Sequence, residues 1–532
     1  MNLIEHNVKI NKKLVILLIS ILLLVSFCSL FFIENHSLIA HDESAYANRA
    51  KLILDTNNWF TPFENAHHKT IGSYWLIALS FKIFGINEFS ARLPGYIFSI
   101  LSSVVLFKII KKISSFEIGI ISIFTLSTSF LWFTYNKYCS PDTLYIFLNL
   151  LGVLYLLKLN NFLKSHLINR YLFIIGLLFS LPFFVRSYLQ ILPLISLSPL
   201  FLMKIKNLNY KNIRFLIFGF FVGLIPLIIF YFISYKTYGV DSLIRPYLLL
   251  EQKTLTENNI FEGFLFYPRN LILLSTPFFV FFINGTRYIL KNKSREIKIL
   301  FIFTPLINIL ILMLTASKYS HYILFTIPFF ASNASFGIYD TFKNKSNNSK
   351  LTLRIFAGLM IIIFLLIFFG SIFNFKIFNE LSLIESFVIS LFSLISIVLS
   401  SNLLYKTNTK SFNINKILSI FFIQIFILNL LFSIGIVGNP NNEIKKFIYQ
   451  SDIKQIIKNN PIFLIGNLDN KKLYLFKFYI ADTQLIETNQ IPNKKTIYGI
   501  ISDKDFFKLN QSNRSKFTKL RKFKDINFMK IN

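Results

Sequence analysis

Residues 12–33 read KKLVILLISILLLVSFCSLFFI: two lysines, then twenty positions without a charge and with three serines. Roughly 20 apolar residues in a helix cross a bilayer core. There only a helix or a closed barrel satisfies every backbone N–H and C=O group. The run predicts a membrane-spanning helix, and with no small-residue cleavage site closing it the reading is a retained signal anchor. Twelve further runs follow near 91–113, 117–135, 143–160, 171–185, 188–203, 213–235, 269–289, 297–315, 322–340, 352–374, 382–404 and 415–437. The fold class predicted is an α-helical polytopic membrane protein with about 13 transmembrane helices and a small C-terminal extracytoplasmic α/β domain.

Composition agrees. Of 532 residues, 54% are hydrophobic and only 15% charged, too few charges for a soluble chain of this length. The net charge of +31 would suit a nucleic-acid partner if it formed one basic face. Instead Lys and Arg cluster between the apolar runs, so no nucleic acid is expected. Segments 1–13, 108–116, 158–170, 204–214, 287–298, 341–354 and 406–416 carry three to five Lys or Arg each. The intervening short turns carry about one each: Lys137, Arg186, Lys318 and Lys376. Unbroken alternation of this kind is the positive-inside pattern. It predicts a multi-pass membrane protein with a cytoplasmic N-terminus. Two cysteines, Cys28 and Cys139, both associated with apolar runs, imply no disulfide framework.

Three larger segments are then external: 34–90, 236–268 and a tail from 438. The tail changes character. Ile444, Phe447, Ile448, Ile453, Ile456 and Ile457 have helical spacing, while 461–466 and 496–501 read as short strands. The domains expected are 1–437, a transmembrane unit, and 438–532, an extracytoplasmic α/β unit.

Chemistry concentrates in 34–90. His41-Asp42-Glu43-Ser44-Ala45-Tyr46-Ala47-Asn48-Arg49 puts Asp42, Tyr46 and Arg49 on one helix face. Next come Asn58-Trp59-Phe60-Thr61-Pro62, His67-His68-Lys69-Thr70-Ile71-Gly72-Ser73-Tyr74-Trp75, Phe84-Gly85-Ile86-Asn87-Glu88 and Ala91-Arg92-Leu93-Pro94. The stretch 71–84 is amphipathic enough to lie along a membrane surface. Asp142 opens the fourth span after Tyr138-Cys139-Ser140-Pro141, and Lys318-Tyr319-Ser320-His321-Tyr322-Ile323-Leu324 forms a later external turn.

This ordered string resembles the first external loop of polytopic glycosyltransferases that use polyprenyl-phosphate sugars, a group including protein O-mannosyltransferases and the lipid A aminoarabinose transferases. Asp142 and the Lys318–Leu324 turn match further family elements. The resemblance implies a C-type glycosyltransferase fold and transfer of a sugar from an undecaprenyl-phosphate donor to a lipid or protein acceptor, such as lipid A or another glycolipid. It also implies a single inverting displacement on the external face. Two features depart from the family pattern: Lys69-Thr70-Ile71 stands where those enzymes have Lys-Pro-Pro, and Ala45 where the aminoarabinose enzymes have arginine.

A sugar on a polyprenyl phosphate carries its own leaving group, so no nucleotide fold is needed. Such a site requires cations for the departing phosphate and a carboxylate to take the acceptor's proton. Asp42, Glu43 and Asp142 are the candidate catalytic acids. Lys69, Arg49, Arg92, Lys318, His321 and Tyr322 are the candidate phosphate contacts, with Arg186 and Arg269 weaker ones. Each also has a plainer reading: Asp42 and Asp142 as helix caps, Lys69, Lys318 and His321 as interfacial side chains. His68 with a carboxylate could hold a divalent metal ion, the single cofactor considered. A lipid or sugar transporter would share the topology, but it would place ionisable residues mid-span.

Overall fold

The computed structural model describes residues 10–31, 37–39, 42–67, 69–162, 167–206, 208–254, 260–315, 318–373, 382–409, 413–436, 442–466, 468–480, 483–488 and 497–531. The chain opens with α1 (Lys12–Phe31), the short helices α2 (Asp42–Asp55) and α3 (Gly72–Phe84), then α4 (Glu88–Ile113), α5 (Phe116–Thr128), α6 (Phe130–Tyr135) and α7 (Asp142–Lys158). It continues with α8 (Ile168–Arg186), α9 (Ile191–Ile205), α10 (Tyr210–Tyr238), α11 (Asp241–Thr254), α12 (Ile260–Leu274) and α13 (Phe282–Asn292). Then come α14 (Arg295–Lys298), α15 (Thr304–Met313), α16 (Ile327–Asn344), α17 (Asn347–Ile372), α18 (Leu383–Thr409) and α19 (Ile414–Ile434).

All thirteen expected runs fall on helices, but they group differently. By length and composition, ten described helical stretches could cross a membrane, or eleven if a pair bent by 104° between Phe264–Leu274 and Phe278–Asn292 counts as one. The 117–135 run is split at Ser129, whose extended backbone ends α5 and whose hydroxyl donates to Leu274 O. Ile168–Ile205 is counted as one stretch of 38 residues. A straight helix of that length would measure about 57 Å, well beyond a bilayer core. The chain instead folds back at Ser187, bringing the Phe179 and Phe201 rings to 4.6 Å, so α8 and α9 form a hairpin.

The helices begin where small polar residues cap them. Asn87 and Ser90 form a reciprocal box at the start of α4, Ser115 caps α5 and Ser346 caps α17. Six of the seven basic segments meet at one end of the bundle. Asn11 bonds Asn415, Lys12 lies over Phe116, Lys293 bonds Ser114, Lys204 pairs with Glu296, and Arg354 bonds Asn408. The alternation of charge along the sequence is therefore a sorting in space. Glu43, Arg92, Asp142 and Arg186 join at the opposite end.

The expected domain boundary at 437/438 lies outside the described residues. Beyond it come α20 (Asn442–Ile448), α21 (Ser451–Asn459), β1 (Ile462–Ile465), α22 (Asn470–Tyr479), β2 (Thr483–Ile486), β3 (Ile497–Ser502), α23 (Asp503–Phe506), α24 (Gln511–Arg514), β4 (Phe517–Phe523) and β5 (Ile526–Ile531). They build a five-stranded sheet of order β2-β1-β3-β5-β4. β1 is parallel to β2 and β3, while β5 is antiparallel to β3 and β4. The sheet domain docks on the carboxylate-bearing end of the bundle. Lys445 pairs with Glu88, the Tyr479 hydroxyl accepts from the Leu38 N–H, and Lys51 donates to the Lys477 carbonyl. Helix α2 is thus clasped between the bundle and α22.

Candidate active site

At that end a cavity of about 320 Å³ has Tyr46, Lys69, Tyr138, Asp142, Arg186 and Tyr322 on its wall, together with Glu43, Tyr135, Tyr188, Tyr319 and His321 among others. Four separate stretches meet there: α2 with the chain leading into α3, the turn before α7, the α8–α9 reversal, and the turn before α16. Asp142 stands at the start of α7 and Arg186 at the end of α8, adjacent because those helices pack antiparallel. Arg186 donates through Nε (3.1 Å) and through a terminal nitrogen (2.5 Å) to the same oxygen, Asp142 Oδ1. No hydrogen bond engages Oδ2 among the described residues, which leaves that oxygen for another partner.

Cation placement turns on Tyr46. Its hydroxyl accepts from Lys69 Nζ at 3.2 Å and from Arg186 at 3.3 Å. Two positive groups, one on the chain leading into α3 and one at the end of α8, therefore flank one phenol within reach of a single phosphate. Ser187, at φ 55° and ψ −140°, holds the turn that aims Arg186. That region is costly for any residue with a Cβ. His321 stacks in an aromatic cluster, its ring 4.7 Å from Tyr322 and 5.7 Å from Tyr135.

Several sequence expectations are redirected. Glu43 borders the cavity, but both its oxygens are engaged. Oε1 accepts from Arg92 Nε (2.8 Å) and the Cys139 N–H (2.7 Å), and Oε2 from Arg92 (2.6 Å) and the Ile39 N–H (2.9 Å). Both oxygens of Glu43 are thus taken up within the scaffold. Arg92, expected at a phosphate, is 1% exposed and belongs to that pair. Arg49, one turn beyond Tyr46, swings away from the cavity, bonds the Tyr74 hydroxyl and lies between the Tyr74 and Tyr474 rings. Burial pulls its guanidinium down, but the phenols of Tyr74 and Tyr474 outweigh this and leave its pKa raised. Burial also pushes the Tyr74 phenol up, so it stays neutral. Lys318 donates to the Leu312 and Met313 carbonyls, satisfying the C-terminus of α15 instead of reaching the cavity. The Asp42 side chain and His68 lie outside the described residues, and the metal expectation with them. Among the described residues no three His, Cys, Asp or Glu side chains are grouped to hold a metal ion.

Residues 68–232, which carry most of this site, match the family described as dolichyl-phosphate-mannose-protein mannosyltransferase. An undecaprenyl phosphate-alpha-4-amino-4-deoxy-L-arabinose arabinosyl transferase of Wigglesworthia glossinidia brevipalpis is 29% identical over 211 residues, 38% of this chain and 37% of its own. An uncharacterized Aquifex aeolicus protein is 28% identical over 140 residues, 26% of this chain and 27% of its own. The matched stretches thus span about a quarter to a third of those relatives. In three dimensions the shared fold extends over nearly the whole chain. ArnT from Cupriavidus metallidurans, solved bound to undecaprenyl phosphate, superposes with a TM-score of 0.74 over 97% of each chain at 13% identity. Its apo state gives 0.72 over the same shares. The chain has the C-type glycosyltransferase fold.

In this C-type fold, the sequence ranked Arg186 below Lys69 as a phosphate contact and singled out none of Tyr135, Tyr138, Tyr188 and Tyr319, all of which line the cavity. Arg186 follows a helical run containing Pro182, which reads as a weak span end. Only the antiparallel packing of α7 on α8 brings it to Asp142. The tyrosines carry no signal that separates a cavity wall from an interfacial belt.

Proposed function

We infer that the chain transfers a sugar from an undecaprenyl-phosphate donor to an envelope acceptor, such as lipid A or another glycolipid, at the external face of a bacterial inner membrane. The observation that carries this reading is the meeting of Lys69, Arg186 and Asp142 on one cavity, with Tyr46 between the two cations. The named relatives and the undecaprenyl-phosphate complex of ArnT support the donor class. The positive-inside pattern supports the orientation, with the N-terminus cytoplasmic and residues 438–532 extracytoplasmic.

The phosphate of the donor sits against Lys69 and Arg186, and its prenyl tail stays in lipid. An acceptor hydroxyl attacks the anomeric carbon from the face opposite the phosphate. As the new C–O bond forms, the bond to the phosphate oxygen breaks, the anomeric centre inverts, and the polyprenyl phosphate leaves with its charge held by the two cations. The acceptor's proton passes to a carboxylate. Asp142 offers the unengaged Oδ2, and Asp42, at the start of α2, is the second candidate. A transporter is disfavoured because these titratable pairs lie at span ends and not mid-span.

The test is turnover of purified protein with undecaprenyl-phosphate sugars, together with mass spectrometry of envelope glycolipids and glycoproteins from cells with and without the gene. Replacing Asp142 by Asn should lower kcat by about 10²–10⁴-fold. Asp142→Asn turning over at the wild-type rate would remove Asp142 from the reaction. An unchanged glycan profile in cells lacking the gene would sink the transferase reading.

A further inference from the structure

Lys137 is 0% exposed, between α6 and the turn that leads to Asp142. Its ammonium donates to Asn429 Oδ1 on α19 at 2.6 Å and to the Ser29 hydroxyl on α1. It lies 4.8 Å from the centre of the Phe133 ring and 4.6 Å from that of Phe432. No carboxylate pairs with it among the described residues, and Glu43, at the same end of the bundle, is taken at both oxygens by Arg92 and backbone N–H groups. A buried ammonium held by an amide oxygen, a hydroxyl and two ring faces is a costly way to join three helices.

The chain that follows it shows what the ammonium secures. One residue on, the Tyr138 carbonyl abuts Gly95 of α4, where an added Cβ would come to 2.8 Å. Two residues on, the Cys139 N–H donates to Glu43. Five residues on stands Asp142, with Arg186 on its Oδ1 and the cavity beside it. The turn is therefore pinned in succession to α1 and α19, to α4 and to α2, and Lys137 is the first and outermost pin.

We propose that Lys137 is a positioning residue: by tying the 136–141 turn to the first and last helices of the bundle, its ammonium sets where Asp142 stands relative to the cavity cations. This rests on the transferase reading for its catalytic consequence but not for its structural one. Misplacement of a reacting group by about 1 Å can cost up to about a hundredfold in rate. A side chain that merely filled space would show no such sensitivity to charge.

The experiment compares wild type, Lys137→Met and Lys137→Arg in lipid nanodiscs by two readouts. The first is turnover with undecaprenyl-phosphate sugars. Lys137→Met should lower kcat about tenfold or more with donor KM within about twofold, and Lys137→Arg should restore most of it. The second is amide hydrogen exchange, independent of activity. Residues 138–145 should exchange faster in Lys137→Met while α16 is unchanged, and Lys137→Arg should restore protection. Wild-type kcat or unchanged exchange in Lys137→Met overturns the proposal, as does failure of arginine to rescue. If wild type transfers no sugar from any such donor, the transferase reading fails and exchange alone decides the role of Lys137. Should Lys137→Met not fold, Asn429→Ala removes the same anchor from α19 and is held to the same outcomes.

Discussion

Glu43 and Arg92 show how an acid in a site-like motif can serve the scaffold. Both side chains are 1% exposed and joined bidentately, and Glu43 also receives the Cys139 and Ile39 amides. Removing one partner of a buried pair leaves an uncompensated charge and costs about 3–5 kcal/mol, whereas replacing both by apolar groups of similar volume is often neutral. Glu43→Gln should therefore lower the thermal midpoint in detergent by several degrees, and Glu43→Met with Arg92→Met should recover most of that loss. If the single variant melts at the wild-type temperature, Glu43 is not the anchor described. Sequence could not separate Glu43 from Asp142, since both are carboxylates beside a span in family-like settings. What distinguishes them is how many donors converge on each, and most of these come from residues as distant as Arg92, Cys139 and Arg186. Lys318 poses the same ambiguity: a lysine after a span looks alike whether it faces a cavity or the end of its own helix, and here it donates to the Leu312 and Met313 carbonyls.

Among the elements, α8 carries the greatest constraint, because it ends in Arg186 and packs closely along α10. Gly176 meets the Leu216 carbonyl, Gly219 meets the Phe173 carbonyl and Gly223 meets Ser180, with no room for a Cβ at any of the three. Small residues at such crossings allow membrane helices to approach backbone to backbone. Gly219→Ala should force the pair apart at a cost of about 1–3 kcal/mol. Because Arg186 ends the displaced helix, donor KM should rise as well. A thermal melt and a donor titration read the two effects, and a variant with unchanged melting and unchanged KM would show that the crossing yields freely. The spans themselves were legible in sequence, since lipid admits few ways to bury a backbone and twenty apolar residues announce the result. The break at Ser129 and the right-angled bend near Pro277 were not, because hydroxyl-to-carbonyl bonds such as that from Ser129 to Leu274 depend on partners far along the chain.

On the scale of the whole molecule, the bundle and the sheet domain differ in what holds their charges. The ion pairs of the bundle are largely buried, while those of the sheet domain are mostly near its surface: Asp503 with Lys522 and Asn527, Asp525 with Lys472, and Asp452 with Arg521. Hydrogen bonds from these partners hold all three carboxyls below the usual carboxylate range, from Lys522 and then Asn527 for Asp503, from Lys472 for Asp525 and from Arg521 for Asp452. A carboxyl whose folded pKa is lowered contributes stability that is fully present above its unfolded value, about 3.9, and is lost as pH falls toward the folded value. Each exposed pair is worth little alone, but Asp503 and Asp525 both brace β5 and its turn, so their losses fall on one place. Acidification from pH 6 to 3 should therefore loosen β3–β5 before it loosens α16 or α7. Amide exchange corrected for intrinsic rates would read this as a fall in protection over residues 497–531 with little change over 327–344. The Asp503→Asn, Asp525→Asn double variant should have lower protection there at pH 6 and show a smaller further loss on acidification, because the groups that titrate are gone. If the double variant and wild type lost protection alike between pH 6 and 3, the acid sensitivity of the domain would lie in other groups.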